Sequence, residues 1–145
     1  MSSRLREATS SLAYLLKHAQ LQLAELTGPA LAPFGITGRE LAVLLTLTGC
    51  EPASQQQAAQ RLGVDRTTMV GLVDALEDKG LVARRPQEGD RRRNVVELTE
   101  AGRDTLRRAG SAAAEAERQF LAPLSPAAAA QFTESLRTLV PPPAT

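Results

Sequence analysis

The chain has 145 residues, 43% of them hydrophobic, with three Phe, one Tyr and no Trp. One domain with a core of Leu, Val and Ala is therefore the most it can bury, with room for helical extensions. A formal net charge of +1 does not by itself suggest nucleic acid; the one Cys excludes an intrachain disulfide framework, one Cys and one His leave too few soft ligands for a metal site, and no cofactor is expected.

No run approaches the roughly 20 apolar residues of a membrane span. The start Met1-Ser2-Ser3-Arg4-Leu5-Arg6-Glu7 lacks the apolar core of a signal peptide. A soluble, cytoplasmic chain without a membrane partner is the expectation. Fifteen of the 17 basic residues are Arg, and their distribution says more than the total. From Arg84 to Arg93 five arginines stand against Glu88 and Asp90, a local excess of +3 that sets the field a phosphate backbone would meet.

In chain order, Leu5, Ala8, Leu12, Leu15, Leu16, Ala19, Leu23 and Leu26 recur in steps of three and four, which predicts one long amphipathic helix ended by Gly28-Pro29. Thr37-Gly38-Arg39-Glu40 reads as a capping box opening a buried helix through Leu41–Leu47, ending near Gly49. Ser54-Gln55-Gln56-Gln57 is a second box. It opens a short helix through Ala58, Ala59 and Leu62 that Gly63 stops. Asp65 caps the next helix, with apolar positions Met69, Val70, Leu72, Val73 and Leu76, up to Gly80. Two helices joined by a short turn containing Gly form a helix-turn-helix.

After Gly80 the period changes to two. Leu81–Arg85 and Asn94–Leu98 read as short strands around a polar, basic tip, Pro86–Arg93, which is a β-hairpin wing. Thr99 caps a long helix from about Glu100 to Leu121, whose face of Ala109, Ala112, Ala113 and Ala116 permits close helix approach. Ser125-Pro126 starts a last helix carrying Phe132, Leu136, Leu139 and Val140, stopped by Pro141-Pro142-Pro143. No internal repeat is present. The fold class is mainly α with a small β-hairpin: a winged helix-turn-helix over 37–99, flanked by helices at 5–28 and 100–140 within a single domain.

A helix fits the major groove and presents its first turn to base edges, here Arg66-Thr67-Thr68. Arg can bond guanine bidentately, and Thr offers a hydroxyl and a methyl. Ser54, Gln55, Gln56 and Gln57 stand at a helix start, where amides favour phosphate. The hairpin tip suits a narrow minor groove, with Asp90 bracing a neighbouring Arg, while Arg84, Arg85, Arg91 and Arg93 would meet phosphate in a salt-dependent way. A solvated charge cluster on a surface hairpin is the alternative.

Leu62-Gly63-Val64-Asp65-Arg66-Thr67-Thr68-Met69-Val70 and Leu72–Val82, followed by Asp90-Arg91-Arg92 and Val96-Glu97-Leu98-Thr99-Glu100-Ala101-Gly102, resemble the recognition helix and wing of the MarR family of multiple-antibiotic-resistance regulators. The resemblance covers about residues 54–103, and the flanking helices extend it. It implies a dimer with six helices and one winged hairpin per subunit, the first and last two helices forming the interface. It also implies Arg92 as the minor-groove arginine, Asp90 as its brace, and Arg66, Thr67 and Thr68 as major-groove readers. The partner would be a pseudo-palindromic DNA operator, released on binding a small, often phenolic or anionic, effector. One departure is Gly71, where a larger, often basic, residue is usual; it permits close backbone approach.

Tyr14 and His18 lie one helical turn apart and either line an effector pocket or are plain interface residues. Cys50 is a redox-sensor candidate or a plain helix-end cysteine, with no basic residue beside it in sequence. A protein-interaction module without DNA binding is the second functional reading. No nucleophile–base pair or phosphate-cradling loop argues for an enzyme.

Overall fold

The computed structural model describes residues 3–48, 53–87 and 89–142. Its elements are α1 (Ser3–Thr9), α2 (Leu12–Leu31), a 3-10 turn (Ala32–Phe34), α3 (Gly38–Thr48), β1 (Ala53–Ser54), α4 (Gln55–Leu62), α5 (Arg66–Asp78), β2 (Val82–Gln87), β3 (Asp90–Leu98), α6 (Glu100–Leu121) and α7 (Pro126–Leu139). Gly49 and Cys50 lie outside the described residues.

Each internal helix begins where a short polar side chain replaces a missing backbone acceptor. Thr37 and Glu40 satisfy each other's amides at 3.1 and 3.0 Å, and Ser54 and Gln57 do the same at 3.1 and 3.0 Å. Asp65, Thr99 and Ser125 accept from the amides of Thr68, Gly102 and Ala128. The turn between α4 and α5 needs a left-handed residue, and Gly63 supplies it with φ 72°.

Two expectations for the N-terminal region are corrected. One helix was expected from Leu5 to Leu26, but the chain breaks at Ser10–Ser11. There the hydroxyls of Thr9, Ser10 and Ser11 donate to the carbonyls of Leu5, Glu7 and Ala8, competing with the backbone ladder. Ser11 is extended (φ −65°, ψ 145°) and caps α2 through the Tyr14 amide. Nor does Gly28-Pro29 end the helix. Pro29 sits within the last turn of α2, where the missing amide forfeits a single bond, and the chain turns only at left-handed Gly35. The described chain thus has seven α-helices where the resemblance implied six.

The hairpin also differs from its expectation. Its strands run to Gln87 and from Asp90, so the turn is short and Gly89 adopts φ 88° within it. Pro86 faces Asn94 but Gln87 faces Asp90, which leaves Arg91, Arg92 and Arg93 without partners on β2. The arginines therefore belong to an irregular stretch of β3 and not to a loop. β1, which no periodicity announced, pairs with Val95 and Val96 on the other edge of β3.

The core lies under the helix-turn-helix. Leu44 and Leu47 of α3, Met69, Val73 and Leu76 of α5, and Val96 of β3 are essentially sealed from solvent. Burial of each such side chain contributes about 1.5–3 kcal/mol. α6, 22 residues long, leaves this core at Ala109 and packs along α2. By contrast, α1 and α7 contain no buried residue among those described, and apart from Leu45 every large exposed apolar side chain lies at or beside the terminal elements.

Candidate nucleic-acid interface

The first turn of α5 stands in solvent. Arg66 and Thr67 are exposed, and Thr68 is half-buried and donates its amide to Asp65 at 2.7 Å. That bond holds the Asp65 carboxyl below its usual range, so the cap is ionised at neutral pH. Arg66 makes no side-chain hydrogen bond or ion pair among the described residues. Its guanidinium is available to an outside acceptor.

The far end of α5 is anchored. The Gly80 amide donates to the Glu77 carbonyl at 2.9 Å and that of Leu81 to Leu76 at 3.0 Å, with Gly80 at φ 73°. Lys79 donates to both carboxylate oxygens of buried Glu40 at 2.9 and 2.8 Å, tying α3 to the helix end. Burial pushes the Glu40 carboxyl up, but bonds from Lys79 and Thr37 and the Lys79 charge together hold it below the ordinary carboxylate range. At the other side of the hairpin, Thr99 donates its hydroxyl to the Gly80 carbonyl at 2.7 Å and its amide to Leu81 at 3.1 Å.

Ser54 and Gln55 are half-buried at the start of α4, and Gln56 is exposed beside them. Gln55 is brought together with Arg84, whose Nε donates to its Oε1 at 2.9 Å. The rest of the Arg84 guanidinium bonds Asp74 and Glu77 of α5, so this residue, expected on phosphate, is already occupied within the protein. Arg85 is exposed and pairs with Glu97 across the ladder. Asp90, Arg91, Arg92 and Arg93 lie on β3, while their side chains are outside the described set.

Tyr14 and His18 stack with ring centroids 4.0 Å apart at 31°, both exposed on α2. A separate apolar cavity of about 410 Å³ opens between α2, α6 and α7, lined by residues including Leu16, Leu23, Phe120, Phe132 and Leu136, and neither ring lines it. Among the described residues no group of three or more His, Cys, Asp or Glu could hold a metal.

The ionic contacts that join α5 to its neighbours were not anticipated. Asp74 and Glu77 are three apart on one helix and lie ten and seven residues before Arg84. An acidic i, i+3 pair just before an arginine-bearing strand was the available signal. Glu40 and Lys79 are 39 apart, and no local pattern connects them.

A capped helix with an exposed cationic first turn, preceded by a short helix and followed by a hairpin, defines the winged helix-turn-helix class of protein. Residues 34–93 match the model of the MarR family. The chain belongs to the MarR family. The HTH-type transcriptional repressor NicR of Pseudomonas putida is 30% identical over 66% of this chain and 61% of its own length, so the chain matches somewhat under two thirds of that relative. The transcriptional repressor CouR, solved bound to a 23-mer DNA duplex, is 32% identical, with a TM-score of 0.88 over 97% of this chain and 99% of that one. CouR from Rhodococcus jostii, solved with p-coumaroyl-CoA, is 26% identical, with a TM-score of 0.78 over 94% and 96%.

Proposed function

We propose that the protein is a homodimeric transcriptional repressor that binds a pseudo-palindromic duplex and leaves it when a small ligand binds. The observation that carries the reading is the exposed, unengaged guanidinium of Arg66 on the first turn of α5, on a fold matching that of a DNA-bound repressor. In this reading Arg66, Thr67 and Thr68 read the major groove, Ser54, Gln55 and Gln56 meet the backbone, and Asp90 braces Arg92 for the minor groove. Arg85, Arg91 and Arg93 add phosphate contacts. The apolar side chains left exposed on the terminal elements, among them Leu12, Leu15, Phe132 and Leu139, supply the dimer interface. Ligand relief is supported by the p-coumaroyl-CoA complex of a relative. Nothing in the chain calls for an enzymatic role.

The test is binding to a duplex selected by the unaltered protein from a randomised library. Arg66→Ala should relax base preference at one position in each half-site, the half-sites lying about 10 bp apart. Arg92→Ala should weaken binding to all sequences and lower the salt slope by about 1.8, about 0.9 for each of the two copies in the dimer. If both variants bind as the unaltered protein does, the contact assignment is wrong.

A further inference from the structure

We infer that Arg84 is a positioning residue that sets the geometry between α5, α4 and the hairpin, and presents the donor end of Gln55 outward, without itself holding phosphate. This rests on the DNA-binding reading above and deepens it.

A guanidinium carries five N–H donors in a rigid planar fork. In Arg84 all three nitrogens are committed. Nε donates to Gln55 Oε1 on α4 at 2.9 Å, Nη1 to Glu77 Oε1 at 2.9 Å, and Nη2 to Asp74 Oδ1. The Arg84 amide, in β2, donates to the other Glu77 oxygen at 3.3 Å. One side chain thus joins α4, α5 and β2 by polar contacts at the surface of the core that they share. Its own exposure is 20%, against 67% for neighbouring Arg85.

Charge argues the same way. Two carboxylates, 57% and 42% exposed, flank one guanidinium, so the cluster carries a net −1. An approaching phosphate meets that surplus before it meets Arg84. The cation's effect is to neutralise acids that would otherwise repel DNA from the side of α5.

Gln55 gives the arrangement its directional consequence. Phosphate oxygens only accept hydrogen bonds, so a glutamine that meets them must offer its NH₂. With Oε1 held by Arg84, the Gln55 NH₂ is the end left over, and it has no partner among the described residues. Arg84 therefore fixes which way the amide faces.

Salt dependence separates positioning from direct contact. Each variant is titrated against the selected duplex and a scrambled one over a range of salt, with circular dichroism and melting to confirm the fold. Arg84→Ala and Arg84→Lys should each lose about tenfold or more on the selected duplex, because a lysine cannot span three acceptors. For Arg84→Lys, which keeps the charge, the salt slope and binding to scrambled duplex should match the unaltered protein, whereas Arg84→Ala, which leaves Asp74 and Glu77 unneutralised, should weaken scrambled binding as well. The double variant Asp74→Asn/Glu77→Gln, which removes two negative charges and does not touch Arg84, should also weaken the selected duplex.

A slope lowered by about 1.8 (about 0.9 per protomer) in Arg84→Ala, with Arg84→Lys restoring affinity, marks a direct phosphate contact and overturns the proposal. Tighter selected binding by the double variant overturns it too, and so does unchanged binding by both Arg84 variants. In each of these cases the DNA reading stands. A protein that selects no duplex at all removes both.

Discussion

Gly102 and Gly71 both lie inside helices, yet the same Gly→Ala change should move stability in opposite directions. At Gly102, buried in the first turn of α6, an added Cβ stands 1.9 Å from the Leu81 carbonyl oxygen and 2.9 Å from its carbon. These are backbone atoms, so α6 or the hairpin root must retreat by about 1 Å, straining the bonds from Thr99 to Gly80 and Leu81. Overpacking of this kind costs about 1–3 kcal/mol, a weakened hydrogen bond adds about 1, and the better helix propensity of Ala returns about 1. The net loss is about 2 kcal/mol. Gly71, exposed in α5, meets nothing within 4 Å, so Ala there gains the propensity alone, about 1 kcal/mol. Urea unfolding at one fixed protomer concentration should separate the two variants by about 3 kcal/mol. A Gly102→Ala protein as stable as the unaltered chain refutes the close approach. Should Gly71→Ala unfold more readily, the helical assignment of α5 is at fault.

If the α5 backbone approaches DNA at Gly71, that stabilised variant should bind duplex more weakly, as a fluorescence titration would show. The folded Glu40 carboxyl lies below its unfolded value of 4.5, so the stability it lends is fully present above that pH and lost as pH falls through the depressed value. Urea midpoints against pH should decline there, and Glu40→Gln should flatten that segment while costing about 1–2 kcal/mol at neutral pH. Thr99→Val removes both the cap of α6 and the bond to Gly80, and should lower unfolding free energy by about 1–2 kcal/mol. Phe132→Glu places a charge in the apolar face between α2, α6 and α7. Sedimentation should then give a monomer with unchanged helix content; a persisting dimer would move the interface elsewhere.

The features legible in the sequence were those enforced within one turn of chain. Thr37 with Glu40, Ser54 with Gln57, and Asp65, Thr99 and Ser125 each sit three residues from the amide they serve, so helix starts could be read directly. Stops were harder. Gly28-Pro29 carries the composition of a break, but Pro29 loses only one bond near a helix end, whereas Thr9-Ser10-Ser11 looks helical until its hydroxyls compete for carbonyls. The strand Ala53–Ser54 is two residues long and exists only because β3 offers an edge. For the candidate interface, residue types and order were readable, while the commitment of Arg84 was not. An arginine in a basic segment has the same spelling whether it faces solvent or two carboxylates on the preceding helix.

α6 runs without interruption from the hairpin root at Thr99 to Leu121, beside the apolar face of α2 and α7. Its 22 residues make a rod about 33 Å long. Gly102 sits flush on Leu81 at one end, so the rod abuts the hairpin root without a gap. A tilt of about 5° at the far end carries the near end about 3 Å, close to the rise of one base pair. In the repressor reading proposed above, a ligand wedged between the terminal helices would shift the reading head by about one base-pair step.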